Sequence, residues 1–591
     1  MRARPQINFG DKHAWFLQAV AIIILGFLLY ANCVNGAFIW DDHGLIQGNS
    51  YLKSWSNLPK VFATGFGGDG QAGSSFYRPL QTTVQMAGYS LWGFRPAGYH
   101  LISIFTHILA ALLLCLFLRN IFQDKIIPFL ASLFFLCSPA NTEAVCYISG
   151  LSDPLVLVFI LACFVFYLRS LQGEGSYSLA LLSFILALFS KENAVVLPFL
   201  LWFYHYAFAR KISFRRLLPF FAILGGYILF RLLVLPGPGG LISPAILLER
   251  LPVFFAGISE YPRLLLFPFD LHIEYARQIS GFSDIKVVAG LILAAGLLIL
   301  AWRNRSANRG IFFALGWFFI TFLPVSNVYP VSHSFIMEHY LYLPSLGFFI
   351  VLAILLRRPS KNRFLVFSLR FFATGLLVIY CCLCWRQAGY WKQPLVFYQR
   401  TLHYAPQSWR FYNELALEYA GAGDNLNAEA AYKEALRINP DAIGIDYNLL
   451  NLYRQANDRE KIQAAEQELI QRQEKTLKDY YGQAGRLNAA GNYAQAYGIL
   501  KKAFELAPDN LSVSSGLAEA CILAGRYAEA VELLNKLLEK NPDFPLGYNN
   551  LAVAYYYLKQ YPLAVKNYDR AVALKYPVAP GFTDLLKTHR K

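Results

Sequence analysis

The sequence predicts an all-α protein in which a polytopic bundle of membrane helices precedes an α-solenoid. Of the 591 residues, 56% are hydrophobic and only 15% are charged, which is more apolar than an ordinary soluble domain. Many apolar runs approach the roughly 20 residues that span a bilayer. After about residue 407, prolines and small residues return with a step of 34 residues. The first two observations exclude a purely soluble protein, and the third predicts the α-solenoid.

The first apolar run covers residues 14–34 and follows a polar, basic N-terminus. It is longer than the apolar core of a usual signal peptide, so we interpret it as an uncleaved spanning helix. Ten further apolar runs bring the predicted number of spanning helices to eleven. They cover 98–118, 126–148, 151–168, 177–190, 194–209, 217–235, 287–302, 311–326, 341–356 and 364–386.

Loops rich in lysine and arginine predict the orientation of the bundle. Such loops stay on the cytoplasmic side, and an N-terminus inside places all five of them there. The net charge of +16 therefore indicates topology rather than nucleic-acid binding. The basic loops lie at 119–125, near Arg169, and at 210–216, 303–309 and 357–363.

The same orientation places the long polar segment 35–97 and everything after residue 386 outside. The shorter segments 142–150, 236–286 and 327–340 also face outside. Within them, the semi-apolar stretch 251–268 lies at the membrane interface or re-enters the membrane, because it is interrupted by three prolines.

The C-terminal part has a strict internal period. Small residues at fixed places let two helices of a hairpin touch, and proline ends the second helix. This pattern resembles tetratricopeptide repeats, which stack into a superhelix with a peptide-binding concave face. We predict a membrane domain at 1–390, a linker helix at 391–406 and a repeat domain at 407–591 with five repeats. The period is carried by Pro406, Pro440, Pro508, Pro542, Gly423, Asn457, Gly491 and Gly525, and is missed at Glu474.

Two adjacent carboxylates, Asp41 and Asp42, follow the first apolar run in the stretch FIWDDHGLIQGN. A charge held at a membrane edge is a functional candidate by default. Further polar residues map to the same predicted outer side, and His100, Ser103 and His107 share one helix face. This convergence favours a site over a scaffold. The other residues are Arg78, Glu143, Lys191, Glu192, Glu338 and His339.

The residue types at this face fit transfer from a phosphate-bearing lipid. Carboxylates can deprotonate or position an acceptor hydroxyl, while Arg78, Lys191 and the histidines can neutralise a leaving phosphate. Arg78, His100, His107, Glu143, Lys191, Glu192, Glu338 and His339 are the predicted donor-phosphate or acceptor contacts. The residues predict no bound metal with certainty, and a divalent cation is left open.

The motifs together resemble a known family. The acidic pair, YRPL at 77–80, GYHL at 98–101, TEAV at 142–145, YLPSLG at 342–347 and the C-terminal repeats are similar to the transmembrane and tetratricopeptide repeat-containing O-mannosyltransferases. The chain also resembles bacterial members of the wider C-type glycosyltransferase fold. Two positions depart from the family pattern, because Asn141 stands where histidine is usual and His339 where arginine is usual.

The resemblance implies a membrane glycosyltransferase with Asp41 and Asp42 at its catalytic centre, Asp41 being favoured as the base. The donor would be a polyprenyl-phosphate sugar, possibly with mannose, and the acceptor a Ser or Thr hydroxyl of a protein. Transfer would invert the anomeric centre on the extracytoplasmic side of the inner, or plasma, membrane. The protein would need a lipid donor and an acceptor protein or peptide as partners, and no nucleic acid.

Three other interpretations stay open at the level of sequence. The acceptor is a glycan or a lipid rather than a protein, or the protein is a non-catalytic membrane scaffold with a peptide-binding repeat domain. A transporter is the third, although its ionisable residues would lie near the bilayer midplane, often with internal repeat symmetry. The sugar, the acceptor and the oligomeric state do not follow from the sequence.

Overall fold

The computed structural model describes residues 9–68, 76–210, 213–234, 244–275, 279, 281–328, 336–357 and 362–590. Across these residues the secondary structure is helical, with no strand, which confirms the predicted all-α class. The chain divides into two compact units, Met1–Tyr419 and Ala420–Lys591.

The first unit is built from long apolar helices joined by short helical turns. Each of the eleven predicted apolar runs contains at least one helix, and the run 126–148 forms two helices with a bend of 58° between them. The helices of this unit are α1 (Phe9–Tyr30), α2 (Leu58–Ala63), α3 (Pro79–Trp92), α4 (Pro96–Arg119), α5 (Ile126–Cys137), α6 (Thr142–Cys146), α7 (Ser152–Gln172), α8 (Tyr177–Ser190), α9 (Leu197–Ala207), α10 (Phe214–Val234), α11 (Pro244–Glu249), α12 (Leu251–Leu266), α13 (Ile285–Ala307), α14 (Arg309–Phe322), α15 (Ser345–Leu356), α16 (Arg363–Tyr390), α17 (Pro394–Tyr404) and most of α18 (Trp409–Gly421).

Six helices of the described ranges are long and apolar enough to cross a membrane, and the bent pair α5–α6 makes a seventh if it counts as one span. The chain is therefore an integral membrane protein. The remaining predicted spans are shorter, with 14 residues in α8 and α14, 12 in α15 and 11 in α9. Even 14 residues rise only roughly 21 Å, against about 30 Å of hydrocarbon. The count of eleven stays a prediction, because apolar composition continues into the turns that flank these helices.

The core of the bundle lies between α4, α7 and α14. Phe117, Phe164 and Trp317, one from each helix, meet with ring centroids 4.9–5.9 Å apart. The buried Trp317 indole also donates a hydrogen bond to the Leu343 carbonyl at 2.9 Å. This packing fixes α4 and α7, whose first turns carry candidate site residues.

The described parts of the long polar segment, 35–68 and 76–97, are folded rather than a simple loop. Phe38, Leu45 and Ile46 pack in a small apolar core against Tyr99 and Ile148, which lie at the beginning of α4 and just before α7. The residues that follow α1 are therefore held against the ends of two central helices.

The second unit repeats pairs of helices around left-handed turns. The turn residues Gly423, Asn457, Gly491, Gly525 and Lys559 have φ between +54° and +79°, and each is 34 positions from the next. Lys559 was not recognised as a turn residue in the sequence, because lysine is unusual at a position with left-handed backbone. The helices after α18 are α19 (Asn425–Ile438), α20 (Ile443–Gln455), α21 (Arg459–Ala489), α22 (Tyr493–Leu506), α23 (Leu511–Leu523), α24 (Tyr527–Lys540), α25 (Pro545–Tyr557), α26 (Tyr561–Ala573) and α27 (Pro580–Lys587).

One helix boundary within the repeats differs from the pattern of the sequence. The predicted second and third repeats are not separate hairpins, because α21 runs for 31 residues through the predicted boundary at residue 474. Glu474 stands where proline would have ended a helix. The first compact unit includes α17 and most of α18, because Tyr398 of α17 and Phe411 of α18 pack beside Trp40. The predicted domain boundaries at residues 390 and 406 stay a prediction.

Candidate active site

The candidate site lies where α1, α5 and α8 end and where α4, α7 and α9 begin. Helices that alternate in direction bring distant parts of the chain to one face of a bundle. The structure places nine of the ten predicted site residues in three groups at this face, and His107 deeper in the bundle. The groups are Asp41, Asp42 and His100; Glu143, Glu338 and His339; and Arg78, Lys191 and Glu192.

Asp42 is 1% exposed, and both of its carboxylate oxygens accept hydrogen bonds. Oδ1 accepts from the backbone N–H of Ser149 at 2.9 Å and from its hydroxyl at 2.5 Å. Oδ2 accepts from the backbone N–H of Ile39 at 3.1 Å. Burial raises the pKa of Asp42 to about 6, and these hydrogen bonds oppose the rise. With three donors on one carboxylate, Asp42 anchors the loop.

Ser149 connects the acidic loop to two helices. Besides donating to Asp42, it accepts a hydrogen bond from the Gln81 side chain at its carbonyl, at 2.8 Å. Gln81 belongs to α3, and Ser149 directly precedes α7. The anchor therefore ties together the loop, α3 and the beginning of α7. Sequence reasoning missed Ser149, because nothing in its local pattern marks a contact 107 residues away.

Asp41 has a different environment. It is half-buried, and its carboxylate lies close to the Tyr147 hydroxyl. Burial raises the pKa of Asp41, and the Tyr147 hydroxyl opposes the rise. Burial and the nearby Asp41 also raise the pKa of Tyr147. Asp41 is thus the member of the pair whose carboxylate is not committed to backbone groups.

Trp40, the residue before Asp41, has a left-handed backbone with φ of +56°. Bulky side chains seldom adopt this region, which costs on the order of 1–3 kcal/mol. The conformation is held by a hydrogen bond from the Trp40 N–H to the Tyr398 hydroxyl at 3.0 Å. The indole also stacks on Tyr147 at 6.1 Å and packs against Phe411 at 5.3 Å. These contacts fix the direction in which the chain enters Asp41.

Helix α18 adds carboxylates beside the acidic loop. Glu418 lies 4.0 Å from the Nε2 atom of His43. Burial raises the pKa of Glu414, where His43 opposes the rise and Asp41 adds to it. Sequence reasoning missed both glutamates, because the residues of α18 follow the repeat pattern and carry no separate signal.

Glu143, Glu338 and His339 form the second group. Both oxygens of the buried Glu143 face His339, which contributes its backbone N–H at 2.9 Å and its ring Nδ1 at 2.6 Å. Glu338 accepts a hydrogen bond from the Tyr275 hydroxyl at 2.9 Å. Burial and the nearby Glu143 raise the pKa of Glu338. Glu338 is therefore a buried carboxyl held by Tyr275 rather than a solvated surface charge.

Arg78, Lys191 and Glu192 form the third group, and the structure adds Asp153 to it. The Lys191 ammonium donates to both Asp153 oxygens at 2.7 and 2.6 Å. Arg78 donates to Glu192 at 3.2 Å, whose other oxygen accepts the Tyr77 N–H at 2.8 Å. Burial lowers the pKa of Lys191 while Asp153 opposes the change. Sequence reasoning missed Asp153. The signal that could have identified it is a single carboxylate at the beginning of an apolar run.

The two histidines of α4 differ in role. His100 is 1% exposed, and neither ring nitrogen has a hydrogen-bond partner among the described residues. Its Nε2 would lie 3.0 Å from a Cβ atom at Gly36, so only glycine fits there without displacing the ring. His107 is engaged by the Tyr342 hydroxyl at 2.6 Å and the Leu136 carbonyl at 3.3 Å. These two contacts connect His107 to neighbouring helices, and its contact with a donor phosphate stays a prediction.

The described ranges contain no group of three or more His, Cys, Asp or Glu side chains placed to hold a metal ion. Asn141, one of the positions that departs from the family pattern, donates to the Phe135 carbonyl at 2.7 Å and helps to fix the bend before α6.

Comparison with known proteins supports the repeats directly. Residues 410–442 and 487–552 each match a model of the tetratricopeptide repeat. Among solved structures, the tetratricopeptide protein YrrB, described as having an unusual peptide-binding site, covers 30% of this chain and 91% of its own at 17% identity and a TM-score of 0.17. ArnT from Cupriavidus metallidurans bound to undecaprenyl phosphate covers 68% of this chain and 80% of its own, at 12% identity and a TM-score of 0.36. At these TM-scores neither likeness supports an argument about the chain.

The curated relatives extend across both units. A protein O-mannosyl-transferase of Caenorhabditis elegans is 24% identical over 441 residues, covering 71% of this chain and 62% of the relative. Protein O-mannosyl-transferase Tmtc3 of Drosophila melanogaster is 23% identical, covering 77% and 58%. TMTC3 of Mus musculus is 24% identical, covering 76% and 54%. The chain thus spans between 54% and 62% of the length of these relatives, and it is similar to proteins named protein O-mannosyl-transferase.

Proposed function

We propose that the protein is a membrane glycosyltransferase that moves a sugar from a polyprenyl-phosphate donor to Ser or Thr hydroxyls of proteins on the extracytoplasmic side. The observation that carries the proposal is the unequal environment of the acidic pair. Asp42 is committed to three hydrogen bonds, whereas the adjacent Asp41 keeps a carboxylate of raised pKa at the edge of the site. Similarity to proteins named protein O-mannosyl-transferase makes mannose the first sugar to test.

The chemistry assigned to Asp41 is general-base catalysis. The acceptor oxygen attacks the anomeric carbon and forms the new glycosidic bond. The bond from that carbon to the phosphate oxygen breaks, and its electron pair leaves with the lipid phosphate. The hydroxyl proton goes to Asp41, and the anomeric centre inverts. A base whose pKa lies closer to neutral accepts this proton more efficiently, and burial moves the pKa of Asp41 in that direction.

Negative charge grows on the phosphate as it leaves, so the site needs fixed positive charge nearby. Arg78 and Lys191 are the best placed of the predicted cations, because each is oriented by a carboxylate in the same group. His339 is held by Glu143 in the other group and serves better to position the turn before α15.

The repeats favour a protein acceptor over a glycan or lipid. A groove of about 550 Å³ lies between α19, α20 and α21. Its walls carry both charged and apolar side chains, which suits an extended polypeptide. Lining residues include Lys433, Leu436, Leu449, Tyr453, Lys461 and Glu468.

The test is transfer of radiolabelled sugar by the purified full chain in lipid nanodiscs. A panel of polyprenyl-phosphate sugars serves as donors, and an unfolded Ser- and Thr-rich protein serves as acceptor. The proposal expects transfer from at least one donor, with base-labile release of the sugar from the protein. Transfer to lipid or glycan alone would contradict the protein acceptor, and no transfer from any donor would contradict the enzyme.

A further inference from the structure

A stripe of exposed apolar side chains on α16 ends in an arginine. Phe372 and Ile379 are 58% and 45% exposed, and Arg386 follows them at the same interval of seven residues, which is close to two helical turns. These residues belong to a candidate membrane span that begins at Val366. The rise from Val366 to Arg386 is about 30 Å, the thickness of the hydrocarbon core. The stripe therefore faces lipid, and the exposed Arg386 and Trp385 lie at the membrane surface.

A second arginine lies beside the first, on the next helix. The Arg386 guanidinium donates from Nε to the Tyr390 hydroxyl at 2.6 Å and lies 5.8 Å from the centroid of that ring. The Arg400 guanidinium of α17 lies 4.1 Å from the same centroid and 5.2 Å from the centroid of Tyr404. Two guanidinium groups from two helices therefore share one aromatic ring, which holds them as neighbours.

These two guanidinium groups are not neutralised by the protein around them. Arg400 donates from Nη2 to the Leu271 carbonyl at 3.1 Å, and its Nε has no acceptor among the described residues. In the ranges that the structure describes, no ion pair joins Arg386 or Arg400 to a carboxylate. Asp270, the residue before Leu271, is paired with Arg263 at 3.0 Å instead. Two like charges held this close repel each other unless an anion lies between them.

We propose that the end of α16 and the helix α17 bind the headgroup of an anionic phospholipid. The phosphate accepts hydrogen bonds from the Arg386 and Arg400 guanidinium groups, and an acyl chain lies along Phe372 and Ile379. The headgroup thereby ties α16 to α17, the helix whose Tyr398 hydroxyl holds Trp40. This lipid is not the sugar donor, and the inference goes beyond the proposed transfer reaction without depending on it.

The surroundings favour a phospholipid over a soluble anion or an acidic peptide. Guanidinium groups bind phosphate with two parallel hydrogen bonds, and basic clusters at the edge of a membrane helix attract anionic lipids. The lipid-facing stripe leads directly to the two arginines, so a headgroup and its acyl chain both find contacts. The end of α13 shows the simpler arrangement of a membrane anchor, in which Arg305 lies 3.6 Å from the ring centroid of Trp302 on the same helix.

Photocrosslinking of the purified full chain in nanodiscs tests the proposal. The probe is phosphatidylglycerol with a diazirine in one acyl chain, diluted in phosphatidylcholine. We expect crosslinks to Phe372 or Ile379 that unlabelled phosphatidylglycerol displaces about tenfold better than phosphatidylcholine, the size of one charge-assisted hydrogen bond. Arg386→Gln should remove most of this preference, and Arg386→Gln/Arg400→Gln should remove all of it. Arg386→Lys should keep part of it, because lysine keeps the charge without the planar fork.

The matched control is Arg305→Gln, which removes one exposed positive charge from the end of another candidate span and should leave the crosslinks to α16 unchanged. Equal displacement by both phospholipids in the wild type would overturn the proposal. So would an unchanged preference in Arg386→Gln, a variant at an exposed side chain that leaves the Arg400 contact with Leu271 in place.

Two further competitors identify the ligand. Soluble glycerol phosphate should not displace the probe, because it lacks the acyl chain, and polyprenyl phosphate should displace it no better than phosphatidylglycerol does. Displacement by glycerol phosphate would assign the arginines to a soluble anion, and stronger displacement by polyprenyl phosphate would assign them to the sugar donor. Either result would overturn the phospholipid site, whereas the sugar-transfer assay above tests the proposed function separately.

Discussion

The two units of the chain use charge in opposite ways. In the repeat unit, Lys536 and Glu532 pair at 2.7 Å across one helical turn, and their side chains are 69% and 70% exposed. In the membrane unit, Lys191 and Asp153 pair at 2.6 Å, with exposures of 5% and 2%, although 38 positions separate them. Exposed pairs contribute about 0–1 kcal/mol, whereas opening a buried pair costs about 3–5 kcal/mol. Charge that is buried at such expense at a membrane edge indicates a function.

The difference extends to how each unit is specified. The repeats are built from local signals, because a turn residue every 34 positions sets each hairpin. The candidate site is built from contacts between distant segments, such as Asp42 with Ser149 and Arg78 with Glu192. Changes in the membrane unit should therefore act on chemistry and assembly together, while changes in the repeats should act on local stability.

The largest expected difference concerns the two ion pairs. Lys191→Met leaves Asp153 buried without its partner and should lower the free energy of unfolding by about 3–5 kcal/mol. The double variant Lys191→Met/Asp153→Leu should recover much of that loss. Lys536→Met, in the exposed pair, should leave the stability close to that of the wild type. Thermal unfolding of the three purified variants measures these changes in stability. Equally small effects at both ion pairs would contradict the difference between the two units.

Next in size is the effect of removing the hydroxyl that holds Trp40. Tyr398→Phe leaves the Trp40 N–H without its acceptor, which costs about 1–3 kcal/mol. The backbone of Trp40 is then free to leave its left-handed conformation, which changes the position of Asp41. We expect kcat to fall about tenfold with KM for the donor unchanged. The matched change in the repeats is Tyr447→Phe, whose hydroxyl accepts a hydrogen bond from the exposed Gln473 at 2.6 Å. That variant should keep the wild-type kcat. A similar fall in kcat in both variants would show that the conformation of Trp40 does not position Asp41.

The pH dependence of sugar transfer tests the environment of Asp41 in the membrane unit. A general base must be deprotonated, so activity should fall as the pH drops through the pKa of Asp41. Burial raises that pKa, which places the acidic limb of kcat/KM above the ordinary aspartate value of about 3.9. The Tyr147 hydroxyl opposes the rise, so Tyr147→Phe should move the limb to still higher pH. An acidic limb that stays at the same pH or moves to lower pH in Tyr147→Phe would show that the Tyr147 hydroxyl does not lower the pKa of Asp41.

Burial of Asp42 adds a stability effect of defined sign. Its folded pKa of about 6 exceeds the unfolded value of about 3.9, so the folded state binds more protons between these values. Stability should therefore rise as the pH falls from about 6 towards about 4. Asp42→Asn should flatten this dependence of the unfolding temperature on pH. An unchanged slope would show that other groups control it.

The smallest expected effects lie in the repeat turns. At Gly525, φ is +76° and an added Cβ would meet no atom within 4 Å, so Gly525→Ala isolates the backbone cost of about 1–2 kcal/mol. Lys559 has φ of +60°, and Lys559→Gly should stabilise the unit by up to about 1 kcal/mol. Opposite signs in thermal unfolding are the expected result. The same sign for both would contradict the 34-residue turn as the unit of the fold.

Sequence reasoning predicted the helical class and the repeats well, because both follow from local composition and period. It also predicted that Asp41, Asp42, Arg78 and Lys191 lie on one side of the bundle, and the structure places them where several helices begin or end. It grouped His107 with His100 by their spacing on α4, and only the tertiary structure places His107 beside Tyr342. It missed Asp153 because this residue stands as a single interruption in an apolar run. Its partner Lys191 directly follows a different helix, α8, and no local pattern identifies a partner.

The measurement that tests the central claim most directly compares the two aspartates in one assay. Transfer of labelled sugar from its lipid carrier to an acceptor protein is followed with purified wild type, Asp41→Asn and Asp42→Asn, and donor binding and the unfolding temperature are measured alongside. We predict that Asp41→Asn lowers kcat by about a hundredfold to ten-thousandfold, the usual range for a lost general base, with donor binding and stability retained. Asp42→Asn should lower turnover and also change stability, since Asp42 anchors Ser149. Near-wild-type turnover in Asp41→Asn would contradict the assignment of the base, and near-wild-type turnover in both would favour a non-catalytic scaffold.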